Sequence, residues 1–332
     1  MWDARPGLAR GSPQQQLCLA KMAKAGHKSP MSFPDPRHPA RLRRSVLCVP
    51  ADNGKALAKI AALACDGVIY DLEDAVLTDR KLEARGMLAA HLEKSRPAGI
   101  EIIIRINSLK TPFGEKDLAE AIRLQPDAIL LPKVESPADI QVVADLLAEN
   151  DAPDSLRLWA MIETPRGVLN AAAIAETGRT SGGRLDCFVP GLNDLRKETN
   201  VPALPGRPYL VSWLMQILLS ARSCGLDIID SVYNDFRDAD GFDAECHQGR
   251  DMGFDGKMLI HPAQIDAANR AFGVTSEAVA EAATVIDAFA RPENAGKGVI
   301  NLAGRMVERL HLDQALKTAA KADAIQKKDN PA

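Results

Sequence analysis

The sequence predicts a (β/α)8 barrel, a TIM barrel, with a C-terminal helical extension. Two observations predict it. Eight short apolar runs recur between residues 45 and 261, each followed by a stretch of helical character. The runs are rich in Val, Ile and Leu without polar alternation, the pattern of parallel strands buried on both faces. Units of strand then helix, repeated in series, close into a barrel. A doubly wound open sheet is the competing architecture. No Gly-x-Gly-x-x-Gly follows the first run, so a dinucleotide-binding domain has little support.

The predicted strands are "SVLCVP" (45–50), "GVIYDLE" (67–73), "IEIIIRI" (100–106) and "DAILLPK" (127–133). They continue with "LRLWAMIE" (156–163), "LDCFVPG" (185–191), "LDIIDSV" (226–232) and "DGKMLIH" (255–261). Helical stretches follow at 53–65, 79–94, 115–124, 136–149, 166–177, 209–224, 239–252 and 262–272. Ser136 reads as an N-cap with Pro137 in the first helical position. Gly67, Gly225 and Gly253 stand where helix C-termini favour a residue tolerant of positive φ. Two further stretches, 276–293 and 299–325, read as helix and are surplus to a barrel. The chain therefore divides into an extension (1–40), a barrel (41–274) and a C-terminal helical segment (275–332) that could serve a neighbouring subunit.

Composition narrows the function. The chain has 332 residues, 26% charged and 46% hydrophobic, with a net charge of -3, which argues against nucleic acid as a partner. Residues 1–40 carry six Lys/Arg against Asp3 and Asp35, a net of +4, so the other 292 residues carry -7. This basic start reads as a disordered extension, or as sequence upstream of a start at Met31. Lys21 and Lys24 interrupt its one apolar stretch, which spoils a secretory signal. No apolar run approaches the ~18 residues of a membrane span. The six cysteines form no CxxC pair and read as free thiols of a cytoplasmic protein, not as a zinc site or disulfide framework.

Barrel enzymes build their sites at the C-terminal ends of the strands. Those ends here carry Asp52, then Asp71, Glu73 and Asp74, then Arg105 and Asn107, then Lys133 and Glu135. Glu163, Asp194, Asp230 and His261 complete the set. Clustered carboxylates repel unless a cation or proton relieves them. Oxygen ligands without Cys suit Mg²⁺, which takes one or two carboxylates and leaves the rest of its shell to water and substrate. Glu163 and Asp194, on neighbouring strands, suit that role. A single rim carboxylate can equally be a solvated loop acid or an N-cap; Glu163 stands apart because it directly ends an apolar run. Lys133 reads as a rim lysine paired with Glu135 rather than a Schiff-base former, and His261 as a structural strand-end residue.

The segments "SVLCVPADN", "DGVIYDLEDAV", "IIIRIN", "ILLPKVES", "AMIETPRG", "DFRD" and "GFDGKMLIHPAQI" resemble, in order, the HpcH/HpaI aldolase and citrate lyase β-subunit family. The resemblance runs from about 44 to 310 and is strongest to the citrate-lyase-β-like, malyl-CoA-lyase-like branch. It implies a Mg²⁺-dependent barrel that makes or breaks a carbon–carbon bond between an acyl-CoA and a 2-oxo acid, oxaloacetate or glyoxylate. By position, it implies Glu163 and Asp194 as metal ligands, with Glu163 also touching substrate. It implies Arg105 as the catalytic and substrate-binding cation, and Glu73 and Asp74 as holders of metal-bound water. The family's catalytic acid is often an Asp in a C-terminal segment donated by the adjacent subunit. Glu308 stands at that position here, and Ala303 replaces an acidic residue seen in many relatives. A homo-oligomer, trimer or hexamer, follows from the same resemblance. A class II 2-oxo-acid aldolase without CoA, or a non-catalytic subunit of a citrate-lyase-type complex, are the alternatives.

Overall fold

The computed structural model describes residues 41–180 and 182–330; the predicted extension and Met31 lie outside the described residues. Among the described residues two compact units emerge, Arg43–Phe272 and a second that holds residues 273–330.

The first unit is a closed parallel barrel. Its strands are β1 (Ser45–Pro50), β2 (Gly67–Asp71), β3 (Glu101–Arg105), β4 (Ala128–Leu131), β5 (Arg157–Ile162), β6 (Leu185–Pro190), β7 (Asp227–Asp230) and β8 (Gly256–Leu259). They pair in chain order, and β1 closes on β8 through Val46 opposite Met258. Each predicted run holds one strand.

Successive strand residues point to opposite sides, so each strand divides its residues between two cores. Val46, Ile69, Ile103, Leu130, Trp159, Met161, Val189, Ile229 and Met258 fill the barrel interior. Leu47, Val68, Tyr70, Ile104, Ile129 and Phe188 face outward to the helices. Trp159 is fully buried in the interior, and the Arg43 guanidinium carbon lies 4.7 Å from its ring centroid. Arg43 in turn bridges Glu101 at 2.7 Å, Asp186 at 2.5 Å and Asp227 at 2.7 Å, tying the starts of β3, β6 and β7. Three carboxylates on one fixed, always-charged fork close the end of the barrel opposite the rim.

The barrel helices are α1 (Gly54–Leu57), α2 (Lys81–Lys94), α3 (Gly114–Leu124), α4 (Pro137–Glu149), α5 (Pro165–Leu169), α6 (Ala171–Glu176), α7 (Leu192–Thr199), α8 (Val211–Ser223), α9 (Ala239–Met252) and α10 (Ile265–Ala271). Pro137 opens α4, and Asp139 accepts the Ser136 N–H at 2.9 Å, a capping box. Two predicted helices are divided. The stretch 53–65 becomes α1 and a 3₁₀ turn (Ile60–Ala62), whose three-residue period brings Ile60 to the buried side of Leu57. The stretch 166–177 breaks at Asn170, whose side chain donates to the Glu135 carbonyl at 2.7 Å. Gly253 ends α9 at φ +104, as expected, and Gly225 has φ +75; Gly67 instead begins β2 without positive φ.

The second unit holds α11 (Ser276–Phe289), an antiparallel hairpin of β9 (Val299–Leu302) and β10 (Arg305–Glu308), and α12 (Arg309–Asp329). The hairpin corrects the helix predicted over 299–325. Ala303 and Gly304 both have positive φ, +52 and +84, the requirement of a two-residue type I′ turn. Asn301 Oδ1 accepts the Gly304 N–H at 2.8 Å, and Ile300 pairs with Val307 on the buried face.

Candidate active site

The inward positions at the C-terminal rim carry the polar residues. Ile69, Ile103 and Met161 face inward, so two residues further on Asp71, Arg105 and Glu163 do too. Arg105 forks onto Asp71, with Nε 2.7 Å from Oδ1 and Nη2 bonded to Oδ2. Asp71 also accepts the Glu73 N–H at 2.8 Å and the Ala75 N–H at 3.0 Å, so the "DLEDA" loop is pinned to the carboxylate that aims Arg105. The other guanidinium nitrogen, Nη1, lies 3.3 Å from Met161 Sδ and 3.6 Å from Glu73 Oε2. One edge of the fork thus holds the scaffold while the other faces the rim. Arg105 remains charged throughout.

Glu163 is 1% exposed. Its Oε1 accepts the Lys133 backbone N–H at 2.8 Å. Against it lies Gly191, where a Cβ would sit 2.4 Å from Glu163 Cβ and 2.5 Å from Oε2. Only glycine leaves that space. Burial pushes the Glu163 carboxyl up to about 8; Asp194 and Glu73 add to the rise, and Lys133 and Arg105 oppose it. Asp194 lies in the first turn of α7, where the helix N-terminus favours a negative charge.

Lys133 is the residue the sequence reading placed wrongly. Its ammonium binds Glu73 Oε1 and lies 3.1 Å from Asp74 Oδ2; it does not pair with Glu135. Its backbone has φ +50, which turns it away from the direction set by Leu131. Burial raises the Glu73 carboxyl even though Arg105 and Lys133 oppose it. Burial works against the Asp74 charge as well, but the Lys133 hydrogen bond holds its pKa below the usual carboxylate range.

The structure therefore brings Arg105, Glu73, Asp74, Glu163 and Asp194 to one rim. Asp230 is a correction. It is fully buried on the outer face, bonded to Lys257 at 2.9 Å and Arg207 at 2.7 Å. Asp52 pairs with Arg80 at 2.8 Å, and Asn107 donates to the Leu72 carbonyl at 2.7 Å. His261 accepts the Ala263 N–H through Nδ1 at 3.1 Å and stacks on Phe236 with centroids 4.6 Å apart, a structural end to β8 as expected. Glu308 belongs to the second unit, where its carboxylate caps α12 and its N–H donates to His311 Nδ1 at 3.0 Å. Sequence reasoning missed Gly191 and Cys48. Cys48 sits on the inner face of β1, its thiol pushed up to about 12 by burial and then by Asp71. It is held protonated and is no nucleophile at neutral pH. Cys48, Cys187, Cys224 and Cys246 are free thiols.

Five carboxylates, Asp71, Glu73, Asp74, Glu163 and Asp194, face two cations, Arg105 and Lys133. Among the described residues no three His, Cys, Asp or Glu side chains converge as a metal-binding group. A two-carboxylate seat on Glu163 and Asp194 fits a hard divalent ion that keeps water or takes substrate oxygens. Gly191 leaves room beside Oε2, and burial keeps the Glu163 carboxyl raised although Lys133 and Arg105 oppose the rise.

Fold and rim together define a TIM-barrel enzyme scaffold with an acidic, arginine-bearing mouth. Residues 44–262 match the HpcH/HpaI aldolase/citrate lyase family, and the chain belongs to it. It is 46% identical over 288 residues to the (3S)-malyl-CoA thioesterase of Cereibacter sphaeroides, covering 87% of this chain and 97% of that one. It is 32% identical over 331 residues to human mitochondrial citramalyl-CoA lyase, covering 96% and 97%. Among solved structures, the CitE protein of Mycobacterium tuberculosis in complex with magnesium, acetoacetate and coenzyme A superposes with a TM-score of 0.67. That match is at 28% identity and covers 84% of this chain and 97% of that one. Among the described residues no helix is long and apolar enough to cross a membrane.

Proposed function

We propose that the chain is a Mg²⁺-dependent carbon–carbon lyase. Its substrate would be a 3-hydroxyacyl-CoA of the malyl-CoA or citryl-CoA type, split into an acyl-CoA and a 2-oxo acid. The observation that carries this reading is the buried Glu163, on whose charge Asp194 acts, lying on the rim with the scaffold-locked Arg105. The names of the relatives, which act on malyl-CoA and citramalyl-CoA, support the substrate class. Glu163 and Asp194 would hold Mg²⁺; the CitE structure containing magnesium and coenzyme A supports magnesium as the ion.

When bound, Mg²⁺ supplies a Lewis acid that lowers the pKa of a hydroxyl and orients a 2-oxo group. The chain does the rest. Arg105 Nη1, free of the Asp71 fork, binds the substrate carboxylate or the developing oxyanion. The hydroxyl would lose its proton to water held at the rim, the bond between the α- and β-carbons would break, and the α-carbon of the leaving thioester would take up a proton. Glu308 of a neighbouring subunit is the proposed acid for that last transfer, on its family position. It would release the α12 cap to do so. Glu73 and Asp74, clasped by Lys133, would orient water at the rim.

Purified protein incubated with malyl-CoA and Mg²⁺ tests the reading. Formation of glyoxylate, trapped as its phenylhydrazone, supports it. A second reading, thioester hydrolysis, is favoured by the 46% identity to a malyl-CoA thioesterase. The same assay separates the two, because hydrolysis yields malate and a free thiol without glyoxylate. Self-association into a trimer belongs to the same proposal. The exposed Leu169 on α5 and Leu219 on α8, two helices that pack together, support it, and light scattering measures it.

A further inference from the structure

The rim holds two acidic pairs, Glu163 with Asp194 and Glu73 with Asp74. Lys133 touches both. Its backbone N–H donates to Glu163 Oε1 at 2.8 Å, and its ammonium binds Glu73 Oε1 and Asp74 Oδ2, the latter at 3.1 Å. We infer that Lys133 is a resident cation filling a latent second metal seat on Glu73 and Asp74, so that the barrel takes a single divalent ion, on Glu163 and Asp194. The inference rests on the assignment of Glu163 and Asp194 as the metal seat.

Three observations carry it. The first is charge. A pair of adjacent carboxylates at the mouth of a barrel attracts a divalent ion as readily as an ammonium, and a compact point charge competes for the same oxygens. Glu73 is 6% exposed, so its charge is not relieved by bulk water, and Arg105 Nη1 stands off at 3.6 Å. The second is backbone. Lys133 adopts φ +50, a left-handed conformation that is unfavourable for a non-glycine residue. A strand continuing straight would send residue 133 outward with Leu131. The left-handed turn is what lets one residue offer an N–H to Glu163 and an ammonium to Glu73. The third is division of labour on Glu163. With Oε1 occupied by an N–H, Oε2 beside Gly191 is the oxygen that remains for a metal. Lys133 is thus a positioning residue. It orients one carboxylate toward the ion and withholds two others from it.

The test counts metal ions on the full chain with Mn²⁺, whose free form is read by electron paramagnetic resonance, without substrate. Lys133→Gly removes the ammonium while keeping the N–H and tolerating the positive φ; Lys133→Met is a second variant that keeps the bulk. The wild type is expected to bind one Mn²⁺ and to lose it in Glu163→Gln. Lys133→Gly and Lys133→Met are expected to bind two, and each combined with Glu163→Gln to keep one. Lys133→Arg, which restores a cation, returns the count to one. If both Lys133 variants bind one ion and lose it with Glu163→Gln, the inference is overturned while the Glu163 seat stands. If Glu163→Gln in the wild-type background keeps its ion, the ligand assignment fails and takes the inference with it.

Discussion

Glu163→Gln should act in opposite directions on the metal-free and metal-loaded protein. The amide keeps an oxygen for the Lys133 N–H and the shape that fits against Gly191, but it cannot ionise. In the wild type the carboxyl is raised from 4.5 to about 8 by burial and by Asp194. Below pH 4.5 it is protonated in both folded and unfolded chains and costs nothing. Between 4.5 and 8 the folded chain keeps the proton that the unfolded chain releases, so stability falls as pH rises. At ~1.4 kcal/mol per pKa unit the full cost above pH 8 is on the order of a few kcal/mol. At roughly 1–2 °C per kcal/mol for a chain of this size, Tm should fall by roughly 5–10 °C from this group alone. Thermal melts of the metal-free protein from pH 5 to 9 should therefore show the wild type losing several degrees more than Glu163→Gln. Other groups titrate in both and cancel in the difference. Mg²⁺ at about a hundred times its Kd should then stabilise the wild type by about 2.7 kcal/mol and leave the variant unmoved. Parallel pH slopes together with equal responses to Mg²⁺ would refute both the buried charge and its role as a metal ligand.

Three further outcomes follow from the geometry. Arg105→Lys loses the two-point fork on Asp71 and should cut kcat/KM for the CoA substrate by about 10²–10³, read by steady-state kinetics. Gly191→Ala places a methyl 2.4 Å from Glu163 Cβ, so it should cost about 1–3 kcal/mol in denaturant unfolding and weaken Mg²⁺ binding by calorimetry. Arg43→Met strips the shared counter-charge from Glu101, Asp186 and Asp227 and should cost about 3–5 kcal/mol, with no direct effect on metal affinity in the folded fraction.

The barrel was legible because its evidence is repeated. Eight apolar runs each contribute a strand, and no single misreading moves the rest. The hairpin at 299–308 was not legible for the opposite reason. One turn sets it, and that turn places Ala303, with no special tolerance, at φ +52. Lys133 was misread for a similar cause. Its neighbour in sequence, Glu135, was the natural partner until a left-handed backbone carried the ammonium to Glu73, 60 positions earlier. Both errors sit where a residue other than glycine adopts positive φ, a departure that residue type does not announce.

The carboxylates at the strand ends show what separates a site from a scaffold in this barrel. Glu163 ends an apolar run and Asp230 lies near the end of another, so both stand among the strand-end acids. Parity divides them. Trp159 and Met161 face inward, so Glu163 faces the mouth; Ile229 faces inward, so Asp230 faces the helices. There Asp230 meets Lys257 and Arg207, which hold its pKa below the usual carboxylate range against the burial that would raise it. Glu163 accepts one backbone N–H and packs on a glycine, and burial raises its pKa although Lys133 and Arg105 oppose the rise. The outward acid is already neutralised by the protein and has nothing left to bind. The inward acid stays raised by burial even with Lys133 and Arg105 nearby, and a divalent ion with a substrate oxygen in its shell would relieve that cost.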